Sequence, residues 1–219
     1  MGLPSSKQNI LIVTAVERER DAVLQGLGQQ RGIDVLVGGI GPIVSAVTTT
    51  QAMTKQRYEL VINMGIGGGF RGKAELGSIV VASEMVAAQF GVETPTGFRF
   101  ADVNQLGSSK IVADKRLCEK FVHAFQAAGL KALMGPILTV STVTGTEATA
   151  LELQRRVPNV TAEGMEGFGV ATAGRLMQAT VLEIRAISNI VGKRDKSKWR
   201  IDDALASLAK ASRVLMEVL

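Results

Sequence analysis

The segment TVLEIRAISN at residues 180–189 is apolar and β-branched through its middle and turns polar at its last two positions, Ser188 and Asn189. A strand that is buried on both faces of a parallel sheet has this nearly continuous apolar character. Because ligands of open α/β sheets bind just beyond the carboxyl ends of the strands, the polar end is a candidate binding position. Taken alone, however, the segment is better interpreted as a core strand followed by a polar turn.

Segments typical of strands and of helices alternate along the rest of the chain. Such alternation is the pattern of an α/β protein whose helices cover a largely parallel sheet. The chain has 219 residues and no linker or repeat that would divide it. We therefore expect one three-layer α/β/α domain over residues 10–219, with a mixed, mostly parallel sheet, after an N-terminal tail at residues 1–9. The predicted strands lie at residues 10–16, 33–37, 60–64, 79–82, 134–140 and 180–189, and the predicted helices at residues 17–27, 43–55, 114–128, 146–156, 164–177 and 201–218.

A glycine-rich segment, GIGGG at residues 65–69, directly follows one of the predicted strands. Glycines there let backbone N–H groups approach a ligand closely, which makes Gly67 and Gly68 candidate substrate-binding residues; the alternative is a turn that needs positive φ angles. Gly67, Gly69 and Gly72 also match the GxGxxG pattern, but another predicted strand follows instead of the required helix. We therefore reject a Rossmann cofactor site, and the lack of a GxxxxGK[ST] motif argues against a P-loop NTPase.

Composition excludes several classes of site and partner. Cys118 is the only cysteine, so an intramolecular disulfide and a CxxC motif are impossible, and we expect its thiol to be buried as a small apolar group. His123 is the only histidine, which excludes two-histidine zinc sites. No metal site and no cofactor are expected. The net charge of +5 is scattered, and the basic cluster at residues 193–200 contains Asp195 and is better explained as a solvated loop than as a nucleic-acid surface.

No targeting segment is evident in the sequence. The residues MGLPSSKQN precede only a short apolar run, and no uninterrupted apolar span of about 18 residues occurs. We therefore expect a soluble protein of the cytoplasm that does not act at a membrane.

Two carboxylates stand where ligands of such a fold bind. Glu19 lies just past the carboxyl end of the first predicted strand, and Glu166 is near the start of the helix predicted at residues 164–177. An acidic residue in the first turn of a helix is also favoured by the helix dipole. That structural interpretation is the better one for the nearby Glu17 and, without further information, for Glu166. For Glu19 the two interpretations remain open.

Four motifs in this order resemble those of the nucleoside phosphorylase and nucleosidase superfamily. They are TAVERE at residues 14–19, NMGIGGG at residues 63–69, GMEG at residues 164–167 and RAISN at residues 185–189. The first is similar to the nucleosidase branch, typified by methylthioadenosine/S-adenosylhomocysteine nucleosidase. Together with FGVETPTGF at residues 90–98, the chain most closely resembles the futalosine hydrolase family. The resemblance implies a nucleoside phosphorylase-like fold and hydrolysis of futalosine to hypoxanthine and dehypoxanthine futalosine in menaquinone biosynthesis. It also implies a homodimer or larger homo-oligomer.

The resemblance assigns roles to individual residues. It implies that Glu19 is the general base that activates water, because a carboxylate can accept the proton of that water. It implies that Glu166 holds the ribose hydroxyls, which are donors suited to an acceptor-only carboxylate. Met165 would offer an apolar face to the substrate, although ordinary core packing explains it nearly as well. The full set of expected substrate-binding residues is Gly67, Gly68, Phe90, Thr144, Met165, Glu166 and Ser188.

Asn189 is the position that specifies the base. The nucleosidases that cleave adenine nucleosides carry Asp where this chain has Asn. A 6-aminopurine presents the N7 acceptor and an amino donor, whereas a 6-oxopurine presents two acceptors, N7 and O6. The Asn189 amide can donate to O6, and its carbonyl can accept from N7–H as the leaving base gains a proton. Asn189 therefore predicts a 6-oxopurine such as hypoxanthine. Asn is not an acid, so protonation of the leaving group is left to water.

Water is favoured over phosphate as the nucleophile. Relatives that bind phosphate carry Ser or Thr in the glycine segment where this chain has Ile66, and the first motif, AVERE, lacks a glycine-arginine phosphate grip. Arg71 is close enough in sequence to keep a phosphorylase as an alternative. Ser78, where relatives often have Asp, is a further departure with a structural effect.

Two alternatives to futalosine hydrolysis remain. One is a purine nucleosidase or phosphorylase that acts on inosine-like or methylthioadenosine-like nucleosides. The other, from a different class, is a non-catalytic nucleoside-binding protein, which has less need of both Glu19 and Glu166. Residues 90–98 are predicted to form a surface loop, and loops of this length are often functional. We expect this loop and Arg99 to recognise the carboxylate-bearing arm of futalosine.

Overall fold

The structure, a computed structural model, describes residues 9–28, 32–101 and 107–219. Residues 1–8 of the expected N-terminal tail lie outside this part of the chain. Within it, no helix is both long and apolar enough to cross a membrane. The elements are β1 (Ile10–Thr14), α1 (Glu17–Leu27), β2 (Ile33–Val37), α2 (Pro42–Lys55), β3 (Leu60–Gly69), β4 (Ile79–Ala87), β5 (Gly91–Thr94), β6 (Gly97–Phe100), β7 (Lys110–Val112), α3 (Lys115–Ala127), β8 (Ala132–Thr139), α4 (Glu147–Arg156), β9 (Ala162–Gly164), α5 (Gly167–Leu176), β10 (Thr180–Ile190), a 3₁₀ helix (Lys196–Lys198) and α6 (Ile201–Val218).

The main sheet has eight strands in the order β10-β4-β8-β9-β3-β1-β2, with β7 paired to β4. Five of its pairings are parallel, and the pairings of β10 with β4, β3 with β9 and β4 with β7 are antiparallel. The prediction of a mixed, mostly parallel sheet in an α/β fold is therefore confirmed. The strands β10, β4, β8, β9 and β3 also close into a ring, because β10 pairs with β3 as well as with β4. The sequence did not predict this closure.

Both faces of the sheet are covered, and side-chain alternation along the strands explains the two cores. In β1, Ile10 and Ile12 belong to a large core shared with α1, α3 and α6, whereas Leu11 and Val13 belong to a smaller core shared with α2 and α5. Burying each such side chain contributes about 1.5–3 kcal/mol. Cys118 lies in the large core as predicted, where burial raises the pKa of its thiol to about 11.

The strand predicted at residues 60–64 is longer than expected, because β3 continues through the glycines to Gly69, and the alternative interpretation of residues 65–69 as a turn is wrong. β10 runs beside these residues on one side and β9 on the other. The glycines are needed for space: a Cβ added at Gly65 would lie 2.6 Å from Oε1 of Glu19 and 2.8 Å from Nη1 of Arg185. Because they lack side chains, these glycines let the charged groups of Glu19 and Arg185 pack against the sheet, and the strand continues without a turn.

The surface loop predicted at residues 90–98 is also wrong, because β5 and β6 pair there as an antiparallel hairpin. Gly97, with φ of 114°, supplies a backbone conformation in the turn that other residues rarely adopt. The rings of Phe98 and Phe100 pack edge to face with centroids 5.1 Å apart, and the Arg156 guanidinium lies 4.4 Å from the Phe98 ring centroid. These aromatic contacts stabilise the hairpin. The polar sequence between its two strands is typical of a loop, so the hairpin was not predicted.

The helix predicted at residues 164–177 begins three residues later than expected. Gly164 ends β9, and Glu166 is the N-cap residue of α5. Gly164 belongs to the sheet because its backbone packs on Arg185, whose Cζ would lie 2.8 Å from an added Cβ. As a result, Glu163 in β9 and Glu166 at the start of α5 lie in the same region.

Candidate active site

A cavity of about 300 Å³ opens beyond the carboxyl ends of β1, β3 and β10. This is the edge at which ligands bind in open α/β sheets, and the volume lies at the lower end of the range for small-molecule sites. Most of the predicted site residues contribute to the lining. They are Glu19, Gly67, Gly68, Met165, Glu166, Ser188 and Asn189.

Glu19 is held in the cavity wall by backbone N–H groups. It is only 3% exposed. The N–H groups of Ala15 and Val16 donate to its Oε2 at 2.8 and 3.3 Å, and the N–H of Ile66 donates to Oε1 at 2.8 Å. A carboxylate oxygen has about two lone-pair directions. Oε2 is therefore saturated, and Oε1 is the atom that can still accept a hydrogen bond.

Burial raises the pKa of the Glu19 carboxyl. The positive charge of Arg185 and the N–H donors of Ile66 and Ala15 oppose this effect, whereas the negative charge of Glu166 adds to it. A raised pKa brings a carboxylate closer to the proton affinity that general base catalysis at neutral pH requires. The structural interpretation also has support, because the bond from Val16 caps the first turn of α1.

Arg185 holds the carboxylates of the site from beneath. Its side chain is 1% exposed, and its Nη2 lies 3.2 Å from Oε2 of Glu166. Nε donates to Oε1 of Glu183 at 2.8 Å, and Nη2 donates to Oδ1 of Asn63. Burial alone would lower the pKa of Arg185, but the attraction of Glu183, Glu166 and Glu19 outweighs it and raises that pKa. The guanidinium is therefore the buried counter-charge of several acids.

Sequence reasoning quoted Arg185 only as part of a motif and assigned nothing to Glu183. A signal was available: two opposite charges stand two residues apart in an otherwise apolar strand, so they share one face of it. Charged residues are almost never fully buried unless they are paired. That spacing indicates a buried ion pair inside the strand.

Glu166 lies at the meeting point of α5 and the loop before α2. The N–H of Gly41 donates to its Oε1 at 3.1 Å, and the N–H of Met165 donates to Oε2 at 3.3 Å. Arg185 also contacts Oε2. Oε2 thus has two partners, whereas Oε1 accepts only from Gly41. Oε1 is therefore the oxygen that can accept a further hydrogen bond.

A bulge in β10 positions Ser188 and Asn189. Ile187 pairs with Gly67 and Asn189 with Gly68, so Ser188 is the extra residue. Bulges of this kind redirect side chains. The Ser188 hydroxyl lies 2.9 Å from Oδ1 of Asn189 and 3.2 Å from the Gly67 carbonyl oxygen. Donation to Oδ1 fixes the amide with its Nδ2 free to donate into the cavity.

Glu163 lines the cavity and was missed by the sequence analysis. It is 4% exposed, and both of its oxygens accept from Thr144, the N–H at 3.1 Å and the hydroxyl at 2.6 Å. Burial raises the pKa of the Glu163 carboxyl, while the two Thr144 donors act in the opposite direction. Thr144, a predicted substrate-binding residue, is not among the lining residues. It orients the Glu163 carboxyl, which does line the cavity.

Two other predictions differ from the observed lining. Phe90 is 41% exposed just before the hairpin and does not line the cavity. The basic segment at residues 193–200 is more than a solvated loop, because Trp199 forms part of the cavity wall. The guanidinium of Arg194 lies 5.6 Å from the centroid of that indole. The sequence signal for this role was the position of the one tryptophan of the chain inside the basic segment.

No group of three or more His, Cys, Asp and Glu side chains that could hold a metal ion occurs in the described part of the chain. The lining offers carboxylates, an amide, a hydroxyl and apolar surface. This set can bind a neutral polyhydroxylated ligand with a flat heterocycle, and it can accept a proton from water.

Known proteins resemble this chain in both sequence and fold. A family model described as the phosphorylase superfamily matches residues 14–219. The chain is 40% identical over 237 residues to a futalosine hydrolase from Streptomyces coelicolor, covering 96% of each protein. It is 39% identical over 218 residues to a futalosine hydrolase from Acidothermus cellulolyticus, covering 94% of this chain and 89% of the relative.

The fold has a counterpart among solved structures. A 5′-methylthioadenosine/S-adenosylhomocysteine nucleosidase from Neisseria meningitidis, in complex with methylthio-immucillin-A, superposes with a TM-score of 0.85. The match covers 96% of this chain and 99% of that one, at 21% sequence identity. At this identity the likeness is one of fold.

Proposed function

The chain belongs to the phosphorylase superfamily and, within it, to the futalosine hydrolase family, and we propose on this basis that it hydrolyses the N-glycosidic bond of futalosine. The products are hypoxanthine and dehypoxanthine futalosine, and the reaction belongs to menaquinone biosynthesis. The observation that carries the proposal is the pairing in one cavity of a buried carboxylate, Glu19, with an amide, Asn189, that matches a 6-oxopurine.

In the proposed reaction, Glu19 Oε1 accepts a proton from water. The water oxygen bonds to the anomeric carbon as the bond from that carbon to the purine nitrogen breaks, and the electron pair leaves with the purine. The base gains a proton from solvent. Glu19 suits this role because backbone donors from Ala15, Val16 and Ile66 fix its direction. Positioning of this kind supplies a large share of enzymatic rate enhancement.

We propose that Glu166 holds the ribose through Oε1 and that Met165 packs against the sugar or the base. Arg185 orients the carboxylate of Glu166, because its Nη2 contacts the other oxygen. An ionised carboxylate is acceptor-only and complements the donor hydroxyls of ribose. Gly67 and Gly68 supply a floor without side chains, on which a flat ring can rest.

Water is favoured over phosphate by the charge of the cavity. Three carboxylates, Glu19, Glu163 and Glu166, line it, and no lysine or arginine is among its described lining residues. Arg71, which kept the phosphorylase alternative open, is 75% exposed in its side chain and lies 3.9 Å from Glu147. A phosphate dianion would meet these carboxylates without a lysine or arginine in the described lining to bind it.

The experiment that tests the function is release of free base in phosphate-free buffer. Futalosine, inosine, adenosine and methylthioadenosine are supplied side by side, and the bases are separated chromatographically. We expect hypoxanthine from futalosine at a rate that added phosphate does not change. Cleavage of inosine that depends on phosphate would replace the hydrolase with a phosphorylase, and the absence of release from every substrate would favour a binding protein.

Asn189→Asp is expected to weaken the preference for hypoxanthine. The new carboxyl lacks the amide donor for O6, so kcat/KM for futalosine falls by about 10²-fold, while cleavage of its 6-amino analogue rises. The measurement is kcat/KM for the two substrates. The matched control is Asn159→Asp, at an exposed position in a turn after α4, which should leave both values unchanged. An unchanged preference in Asn189→Asp would contradict the assigned role.

We also propose that the protein is a homodimer that forms through α2 and α5. The helix α2 exposes Ile43, Val44 and Val47 on one face, and Leu176 at the end of α5 is 78% exposed. Ile40, which is exposed and lines the cavity, connects this apolar face to the mouth of the site. Contiguous exposed apolar surface is typical of interaction sites. A second copy on this face would close the cavity and shield the substrate.

The dimer proposal is tested with the double variant Ile43→Glu and Val47→Glu. We expect its mass in light scattering to fall from that of a dimer to that of a monomer, because two charges would be buried in the interface. The control is Leu151→Glu on α4, where the leucine is 59% exposed, between Ile43 at 77% and Val47 at 53%. If the double variant stays dimeric, the interface lies elsewhere.

A cytoplasmic location is part of the proposal. It is supported by the single buried cysteine, since the chain uses no intramolecular disulfide, a bond typical of proteins in oxidising compartments. Cell fractionation with an antibody to the protein tests it.

A further inference from the structure

Glu163 and Asn189 stand on opposite sides of Gly68. Gly68 in β3 pairs with Asn189 in β10 on one side and with Glu163 in β9 on the other. Residues paired in this way point to the same face of a sheet, and two strand spacings separate their Cα atoms by about 10 Å. A Cβ added at Gly68 would lie 2.8 Å from Cγ2 of Val191, 3.2 Å from Nδ2 of Asn189 and 3.4 Å from Cγ of Glu163. The absence of a side chain at Gly68 lets Val191 pack there, and the Asn189 amide and the Glu163 carboxyl flank this glycine in the cavity wall.

The carboxyl of Glu163 has no part in the ion cluster around Arg185. Within the described residues it forms no ion pair, and its only hydrogen-bond partner is Thr144. Each carboxyl oxygen of Glu163 accepts one hydrogen bond from Thr144, so one lone-pair direction remains on each oxygen. A buried carboxyl that lines a cavity without a counter-ion is costly unless a ligand donor meets it.

The chemistry of the base decides what such a donor is. In hypoxanthine, O6 is flanked by N7 on one side and by the N1–H group on the other. Asn189 matches N7 and O6, so the N1–H points away from the amide, and Glu163 is the lining residue on the other side of Gly68 from Asn189. In adenine, N1 carries a lone pair and no hydrogen, so a carboxylate facing N1 would place two acceptors against each other.

We propose that Glu163 is a second specificity residue, which accepts a hydrogen bond from N1–H of the 6-oxopurine while Asn189 binds the N7 and O6 edge. The inference rests on the proposed function and extends it from one edge of the base to two. Thr144 is a positioning residue, because its N–H and hydroxyl orient the carboxylate. Rejection of 6-aminopurines then has two causes: their 6-amino group offers no acceptor to the NH₂ donor of Asn189, and the N1 lone pair repels the Glu163 carboxylate.

The test compares three substrates: futalosine, its N1-methyl derivative and its 6-amino analogue. In the wild-type enzyme we expect N1-methylation to lower kcat/KM by about 10²-fold or more, because the hydrogen that Glu163 accepts is gone. Glu163→Gln is expected to lower kcat/KM for futalosine by about 10-fold and to raise it for the 6-amino analogue, since a Gln amide can donate to N1. The penalty for N1-methylation should shrink in this variant.

Controls separate recognition from folding. Glu119→Gln, at a half-exposed position on α3 beside Lys115, should leave all three ratios unchanged. Thr144→Val should shift the substrate ratios in the direction of Glu163→Gln, and Thr144→Ser, which keeps the hydroxyl, should restore them. These ratios compare substrates on one protein, so a loss of folded enzyme cancels from them.

The outcomes distinguish the inference from the function on which it rests. Equal losses on all three substrates in Glu163→Gln, or a wild-type enzyme indifferent to N1-methylation, overturn the inference alone. If wild-type protein releases no hypoxanthine from futalosine, the proposed function fails. Calorimetric binding of hypoxanthine and 1-methylhypoxanthine then decides the inference, with tighter wild-type binding of hypoxanthine in support and equal binding against it.

Discussion

Glu19→Gln is expected to lower kcat for futalosine by about 10²–10⁴-fold, the range that general base catalysis contributes. The amide cannot take a proton from water. It also presents an NH₂ group where Oε1 or Oε2 now accepts backbone N–H donors, so one of these hydrogen bonds is lost at a cost of about 1 kcal/mol in stability. The measurement is the rate of hypoxanthine release under saturating substrate, together with the unfolding midpoint of each protein.

Glu17→Gln is the matched control for this prediction. Glu17 lies in the same first turn of α1, and its side chain is 78% exposed. Removing its charge should leave kcat unchanged and alter stability only slightly. If Glu19→Gln keeps wild-type kcat, Glu19 is a helix-capping residue and water is activated by another group.

The acid limb of the pH profile should identify the same residue. Burial raises the pKa of Glu19 against the opposing attraction of Arg185. Only the ionised form is a base, so kcat/KM declines as the pH falls through that raised pKa. We therefore expect the decline in the wild-type enzyme at a higher pH than an ordinary glutamate would give. An acid limb with the apparent pKa of an ordinary glutamate would contradict this account.

The strand ends explain why much of the site could be predicted from sequence. Glu19 follows β1, and Ser188 and Asn189 stand at the end of β10, so the alternation of apolar runs and polar ends located them. Their chemical roles came from the family resemblance. Neither source revealed the bulge at Ser188, because a bulge depends on the register of two strands that are far apart in sequence.

Short and concealed elements explain what was missed. β9 has only three residues, too few to show an alternating pattern, so Glu163 was absorbed into the approach to a helix. The hairpin of β5 and β6 depends on contacts such as that of Arg156 with Phe98, which tertiary packing supplies. The predicted strand at residues 60–64 stopped before the glycines of β3, because the room that they give Glu19 and Arg185 is visible only in three dimensions.

Arg185→Met is expected to lower the free energy of unfolding by about 3–5 kcal/mol, the cost of breaking a buried ion pair from one side. Met replaces the aliphatic part of the side chain, but Glu183, Glu166 and Glu19 lose their shared counter-charge while still buried. The measurement is chemical denaturation. Arg155→Met on α4 is the control, because the Arg155 side chain is 75% exposed beside Glu152, and such pairs contribute at most about 1 kcal/mol.

The pH dependence of this loss tests its electrostatic origin. Burial already raises the pKa of Glu183 and of Glu19, and the attraction of Arg185 restrains both shifts. Without Arg185, the folded state therefore holds more protons than the unfolded state at mildly acidic pH. Folded protein is then stabilised as the pH falls, so the deficit of Arg185→Met should shrink between about pH 8 and pH 5. A deficit that is constant over this interval would mean that lost packing is responsible and that the buried acids do not depend on Arg185 for their charge.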